Sequence, residues 1–234
     1  MHIPTSTLSR TGARAASPTL VVRAYGVLPY VEGLALQETV HAARCAGRCP
    51  DTLLLLEHAP VVTLGRGADR LGDEVPSDAL RARGISIRRT ERGGRATYHG
   101  PGQLVGYPVV SLRARGGDAH AYVHALEQAL VEAAAAFGVA AETRAGLTGV
   151  WVEGRKLGSI GVQIRQGVTL HGFALNVDMD LSPFELIAPC GVAGLPVTSL
   201  ARELGQAVDL RRARRIVIRA LSATLAELPR TPNA

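Results

Sequence analysis

The chain has 234 residues, 47% of them hydrophobic but only 4% aromatic, and a formal net charge of +6. That length suits one domain whose core is built largely from Val, Leu, Ile and Ala, and no apolar run approaches the ~20 residues that a membrane helix needs. Three cysteines, an odd number, argue against a disulfide framework and for a reducing, cytoplasmic setting, while the basic balance favours acidic partners without choosing among them.

Residues 1–18 contain Ser, Thr and Arg but no acid and no apolar centre. They read as a flexible extension rather than a secretory signal, which leaves 19–230 as a single domain. Residues 19–25 read as a first strand. Residues 29–46 carry apolar spacing near 3.6 behind Pro29, a helix. Residues 52–57 (TLLLLE) form a short continuous apolar run, suited to a strand buried on both faces. Residues 61–64 are expected beside it after the Ala59-Pro60 turn. A short helix is predicted over 77–83, with Ser77 as N-cap and Gly84 just past its end.

Strands at 85–89 and 103–112 flank a glycine-rich loop. Residues 118–137 give the clearest helix, capped by Asp118 and stopped by Gly138. Residues 148–165 read as a hairpin turning at Glu153-Gly154-Arg155, and 168–177 as a further strand. Residues 180–196 read mostly as loop, and 209–227 as a closing helix. Strands outnumber helices and many are joined by hairpins, so the expected class is α+β with a mixed sheet.

Of the 26 Lys and Arg residues only Lys156 is lysine. It follows the hairpin turn, in Gly154-Arg155-Lys156-Leu157-Gly158. Lysine is a compact charge that can pass on a proton, whereas arginine stays charged. Two readings stand side by side: a position that needs an amine, and a solvated loop charge left by chance.

Other constellations differ in weight. Residues 92–107, RGGRATYHGPGQLVGY, combine backbone freedom with Arg92, Thr97, Tyr98, His99 and Gln103, a pattern suited to a ligand site or to an elaborate strand connection. No GxxxxGK[ST] or GxGxxG pattern is present, so nucleotide binding has no support. Cys190, between Pro189 and Gly191, is a presented thiol that a nearby ammonium would activate; inert packing is the other reading. His41, Cys45 and Cys49 share a helix face but lack an evident fourth metal ligand, so no metal site is assigned. Arg211, Arg212, Arg214, Arg215 and Arg219 on the last helix fit a solvated face better than a nucleic-acid surface, since no stacking aromatics accompany them.

Taken together, 92–107, the stretch Gly154-Arg155-Lys156-Leu157-Gly158-Ser159-Ile160-Gly161, the run PCGVAGLPVTSL from Pro189, and His58-Ala59-Pro60-Val61-Val62-Thr63-Leu64-Gly65-Arg66 resemble the lipoyl(octanoyl) transferases. The match spans about residues 20 to 205. The resemblance implies a mixed sheet with a second small sheet and flanking helices, like the catalytic domain of biotin and lipoate protein ligases. It implies transfer of octanoyl from octanoyl-acyl carrier protein to a lysine on lipoyl domains, those of 2-oxoacid dehydrogenase complexes and the glycine cleavage H protein. It implies that Cys190 carries the acyl group as a thioester and that Lys156 lowers its thiol pKa.

The acyl site implied by the resemblance is lined by Arg92, Gly93, Gly94, Arg95, Ala96, Thr97, Tyr98 and His99, by Ser159, Ile160 and Gly161, and by Gly172, Phe173 and Ala174. No cofactor, metal, nucleic acid or membrane is implied, and the protein is expected to be a monomer. His99 and His171 are possible further proton carriers or structural hydrogen-bonding groups. The competing expectation is an ATP-dependent lipoate or biotin ligase on the same fold, which would not need Cys190.

Overall fold

A computed structural model describes residues 20–71, 75–187 and 194–229. The predicted extension at 1–18 and Cys190 lie outside the described residues. The chain runs β1 (Val21–Leu28), α1 (Tyr30–Cys45), β2 (Thr52–His58), β3 (Val61–Leu64), α2 (Arg66–Leu71), α3 (Ser77–Ala82), β4 (Ser86–Arg89), β5 (Ala96–His99) and β6 (Gln103–Val109). It continues with α4 (Ala119–Ala135), β7 (Glu142–Arg144), β8 (Leu147–Val152), β9 (Arg155–Arg165), β10 (Val168–Asn176), α5 (Leu200–Leu204) and α6 (Leu210–Glu227), with short 3-10 turns at Arg113–Arg115 and Ser182–Leu186.

Seven strands form one sheet in the order β1-β2-β6-β10-β9-β8-β7, and three form a second in the order β4-β3-β5. In the large sheet β1 and β2 are parallel, with α1 as the crossover, and the other pairs are antiparallel. The fold is thus the mixed α+β arrangement expected. Four consecutive leucines, Leu53 to Leu56, are fully buried in β2. Because side chains alternate across a strand, Leu53 and Leu55 join the core packed on α4 and α6, while Leu54 and Leu56 join the one that includes Val40 and Leu36 of α1. Helices therefore cover both faces of the sheet, which explains why β2 carries no polar alternation. The small sheet has its own core of Val62, Leu64, Leu80, Ala96, Tyr98 and Phe184.

Three expectations are corrected. β3 does not lie beside β2; after the Ala59-Pro60 turn it enters the small sheet, pairing with β4 and β5. β2 is flanked instead by β1 and by β6, the latter from much later in the chain. Pro76 rather than Ser77 precedes the first turn of α3, with no side-chain cap, and the Ser77 hydroxyl donates instead to the Val75 carbonyl. The glycine-rich loop is interrupted by β5. Asp118 does cap α4, accepting from the amides of His120 and Ala121.

One buried ion cluster ties the ends of the sheet and α6 together. Asp51 accepts from Arg44 at 2.7 Å and from Arg115 at 2.9 Å, and from the Ser111 amide at 3.0 Å. Arg115 also donates to the Leu225 carbonyl near the end of α6. Burial alone would raise the Asp51 carboxyl, but these donors outweigh it and hold the group below its ordinary range. Asp51→Ala strands Arg115 as a buried charge and is expected to cost about 3–5 kcal/mol in chemical denaturation; a loss below about 1 kcal/mol, the scale of a surface pair, would contradict this.

Candidate active site

A cavity of about 240 Å³ opens between the two sheets. Its walls come from the 92–97 segment and His99 on one side, and from β6, β9 and β10 on the other, with Tyr30 and residues 146–148 completing it. All the sequence-predicted acyl-site residues line it except two. Tyr98 points the other way, into the small-sheet core, where its ring meets Phe184 edge-on at 5.6 Å. Within β5 the neighbours Thr97 and His99 face the cavity, as strand alternation requires. Gly93 sits just behind the wall, donating its amide to the Val162 carbonyl at 2.9 Å. A Cβ at Gly161 would lie 2.8 Å from the Gly93 carbonyl, so this close approach of turn and strand needs glycine.

Arg92 is buried and holds the turn. Its guanidinium donates to the Thr63 hydroxyl and carbonyl and to the carbonyls of Gly93 and Arg95, at 2.7–3.2 Å. The role implied for Arg92 was to line the acyl site; its hydrogen bonds also make it the clasp between β3 and the 92–95 turn.

A directional hydrogen-bond chain continues from there. Thr63, already accepting from Arg92, meets His99 Nε2 at 3.3 Å, and His99 Nδ1 meets Gln103 Oε1 at 2.7 Å. The Gln103 amide donates to Asn176 Oδ1 at 2.9 Å, and the Asn176 amide donates to the Thr198 carbonyl, also at 2.9 Å. A glutamine oxygen can only accept, so Nδ1 of His99 carries the proton and Nε2 accepts from Thr63. Similarly, His58 Nδ1 donates to the Leu28 carbonyl at 3.1 Å, leaving Nε2 to accept from the Tyr107 hydroxyl at 2.6 Å.

Three imidazoles around this cavity are kept neutral. Burial, with lesser contributions from the neighbouring His58 and the Arg92 charge, pushes His99 down to about 3. Burial lowers His58 to about 4, and burial with Arg92 lowers His171 to about 4. His171 is further set apart by φ +58° within β10, a conformation rare outside glycine, and its amide donates to Gln37 of α1 at 2.8 Å. Its ring lies 6.4 Å from that of Tyr107.

Lys156 is the second residue of β9. A two-residue turn, Glu153 and Gly154 with φ of 45° and 87°, closes the hairpin as a primed turn does, so the lysine emerges directly onto the cavity wall. The solvated-charge reading is overturned: Lys156 is 5% exposed. Nζ donates to the Thr148 carbonyl at 3.1 Å and lies 5.0 Å from the centre of the Trp151 ring. Its backbone pairs with the later segment, Lys156 N–H to the Pro196 carbonyl and Thr198 N–H to the Lys156 carbonyl.

Sequence reading passed over Tyr30, and assigned no role to His58 and Tyr107, although both lie inside quoted motifs. Their signal was a polar group within an otherwise apolar strand. The expected helix face of His41, Cys45 and Cys49 is corrected: α1 ends at Cys45, and Cys49 lies beyond it with its Sγ donating to the Val40 carbonyl at 3.7 Å. Cys45 Sγ lies 3.7 Å from both ring nitrogens of His41, and His41 Nε2 meets the Arg165 carbonyl at 3.0 Å. No group of three metal-binding side chains occurs among the described residues, nor is any helix among them long and apolar enough to cross a membrane. On α6, Arg212 stacks over Phe137 and Arg214 donates to the Tyr25 carbonyl.

The fold is that of the lipoate and biotin protein ligases. A bi-partite lipoate protein ligase from Thermoplasma acidophilum superposes with a TM-score of 0.66 at 21% identity, covering 88% of this chain and 84% of that one. The biotin protein ligase of Aquifex aeolicus gives 0.52 at 12% identity, covering 88% and 69%. Residues 29–222 match the model of the lipoyl protein ligase A/B catalytic domain, which defines the class. Within it the chain belongs to the octanoyltransferases, and is an enzyme of that activity. It is 51% identical over 202 residues to the octanoyltransferase of Geobacter sulfurreducens, covering 86% of this chain and 81% of that relative.

The neutral histidines have a consequence for stability. Their folded pKa values lie below the unfolded value of 6.5, so between 6.5 and about 4 the unfolded chain binds protons that the folded one refuses. Their contribution is present above 6.5 and is lost as pH falls through that window, each imidazole costing about 1.4 kcal/mol for every pH unit crossed. Imidazole NMR titration should find three of the seven histidines still neutral at pH 5, while unfolding free energy falls from pH 6.5 to 4. All seven titrating near 6.5 would refute it.

Proposed function

We propose that the octanoyl group travels from octanoyl-acyl carrier protein to a lysine of a lipoyl domain through a thioester on Cys190. The observation that carries this reading is the chain's sole lysine, buried at the wall of a cavity with Val105, Ile160, Phe173 and Ala174 in its lining. Cys190 itself is outside the described residues. Six residues after it in the sequence, the Pro196 carbonyl accepts from the Lys156 amide.

The Cys190 thiolate attacks the donor thioester carbonyl. The bond to the carrier's sulfur breaks, and that sulfur takes up a proton from the Lys156 ammonium, which leaves Lys156 as amine. The incoming lysine amine then attacks the new thioester, an amide forms, and Cys190 leaves as thiolate while the amine's proton passes to a base. Exchange between thioesters is nearly balanced and amide formation is downhill, so no ATP is needed. Lys156 as ammonium favours thiolate at the first stage. As amine it takes the proton at the second, which arginine does not do at neutral pH. His99 is committed at Nδ1 to Gln103 and at Nε2 to Thr63, which favours a structural role over proton carriage.

Arg66, Arg88 and Arg89 are exposed near the 92–95 turn. With the net charge of +6 they would steer acidic carrier and lipoyl domains.

Incubation with octanoyl-acyl carrier protein in the absence of ATP should give an octanoyl adduct by intact mass, absent in Cys190→Ser. Activity that appears only with ATP and free octanoate would instead support a ligase. Lys156→Arg is expected to fold and to lose about a hundredfold or more in kcat; full activity would remove Lys156 from the mechanism. KM for both protein substrates should rise with ionic strength, and salt-independent values would refute the steering.

A further inference from the structure

The Lys156 ammonium donates to a peptide group that is itself held from its other end. The Thr148–Gly149 amide presents its carbonyl to Lys156 Nζ at 3.1 Å. Its N–H donates to Glu127 Oε1 of α4 at 2.9 Å. The peptide is planar, so fixing one end fixes the other. Gly149 adopts φ +125°, and a Cβ there would lie 2.9 Å from Lys156 Cε and 2.6 Å from the Gly158 carbonyl. Pairing between β8 and β9 shifts register just beyond, between Val150 and Trp151. The amide is thus turned out of the regular ladder at the one place where it bridges a carboxylate and an ammonium.

We infer that Glu127 is a positioning residue for octanoyl transfer, orienting the Lys156 ammonium through the Thr148–Gly149 peptide. The inference rests on the role given to Lys156 under the proposed function. Glu127 is largely buried, with its side chain 13% exposed, and its second oxygen lies 3.8 Å from Nδ1 of the exposed His124. A carboxylate accepting from an amide N–H polarises that amide, so its carbonyl becomes a stronger acceptor at the opposite end. The ammonium is aimed and supported from behind, at the wall of the cavity. The Trp151 ring supplies a further support, shared with Arg144 at 5.7 Å.

The chain's single lysine makes the coupling directly observable, because 13Cε-lysine labelling of the full chain gives one lysine resonance. Glu127→Gln keeps an acceptor for the Gly149 amide and removes the charge. It is expected to fold, to move the lysine 13Cε resonance, and to lower kcat about fivefold with KM for the carrier protein unchanged. Glu127→Asp, which withdraws the carboxylate by one methylene, should move the same resonance and serves if the glutamine variant does not fold. An unmoved resonance with unchanged kcat, while Lys156→Arg is inactive, would overturn the inference and leave the role of Lys156 standing. A moved resonance with unchanged kcat, and an active Lys156→Arg, would overturn both.

Discussion

The Arg92 guanidinium is the interaction on which the rest of the site depends. It is a buried cation whose hydrogen bonds reach the Thr63 hydroxyl and main-chain carbonyls. Those partners have two effects. Mechanically, they close the 92–95 turn on β3, and Gly93 then reaches β9, so the small sheet is bound to the large one across the cavity. Electrostatically, the positive charge contributes to keeping His99 and His171 neutral. The imidazoles of that wall are thus uncharged polar groups, set beside the buried Arg92 cation.

From this clasp the polar chain through Thr63, His99, Gln103 and Asn176 reaches Thr198, which pairs with the backbone of Lys156. Each amide in it is used in one direction only, so none can flip without stranding a buried donor. The two sides of the cavity are therefore parts of one hydrogen-bonded frame. A disturbance at the Arg92 turn reaches the lysine side through ordered bonds rather than through soft packing.

Legibility in the sequence followed the length and regularity of each element. The helices at 29–46, 118–137 and 209–227 and the leucine run of β2 declared themselves by period and, for α4, by cap. β3 and β5 have four residues each, too few for a pattern to say which strand they join, and β7 has three. The resemblance implies Tyr98 as an acyl-site residue, and only the strand alternation of β5 turns it to the face opposite Thr97 and His99; a stretch that reads as loop offers no such alternation. Lys156 was legible as a position but not as a buried group, since its room depends on Gly149 and the conformation of a peptide on the opposite strand. Glu127 gave no signal at all; it looks like any acidic residue of an amphipathic helix until α4 is laid against β8.

The scarcity of lysine has a second meaning once Lys156 is seen to be buried. An enzyme that handles an activated acyl group destined for an amine is exposed to its own surface amines as competing acceptors. Arginine keeps the surface cationic but is protonated at any working pH and does not attack carbonyls. With the remaining positive side chains all arginine and the lone ε-amine turned inward, the surface carries charge without lysine nucleophiles. Under the proposed function, the arginine-rich surface that would steer acidic carriers would also leave no surface lysine for the acyl group to reach.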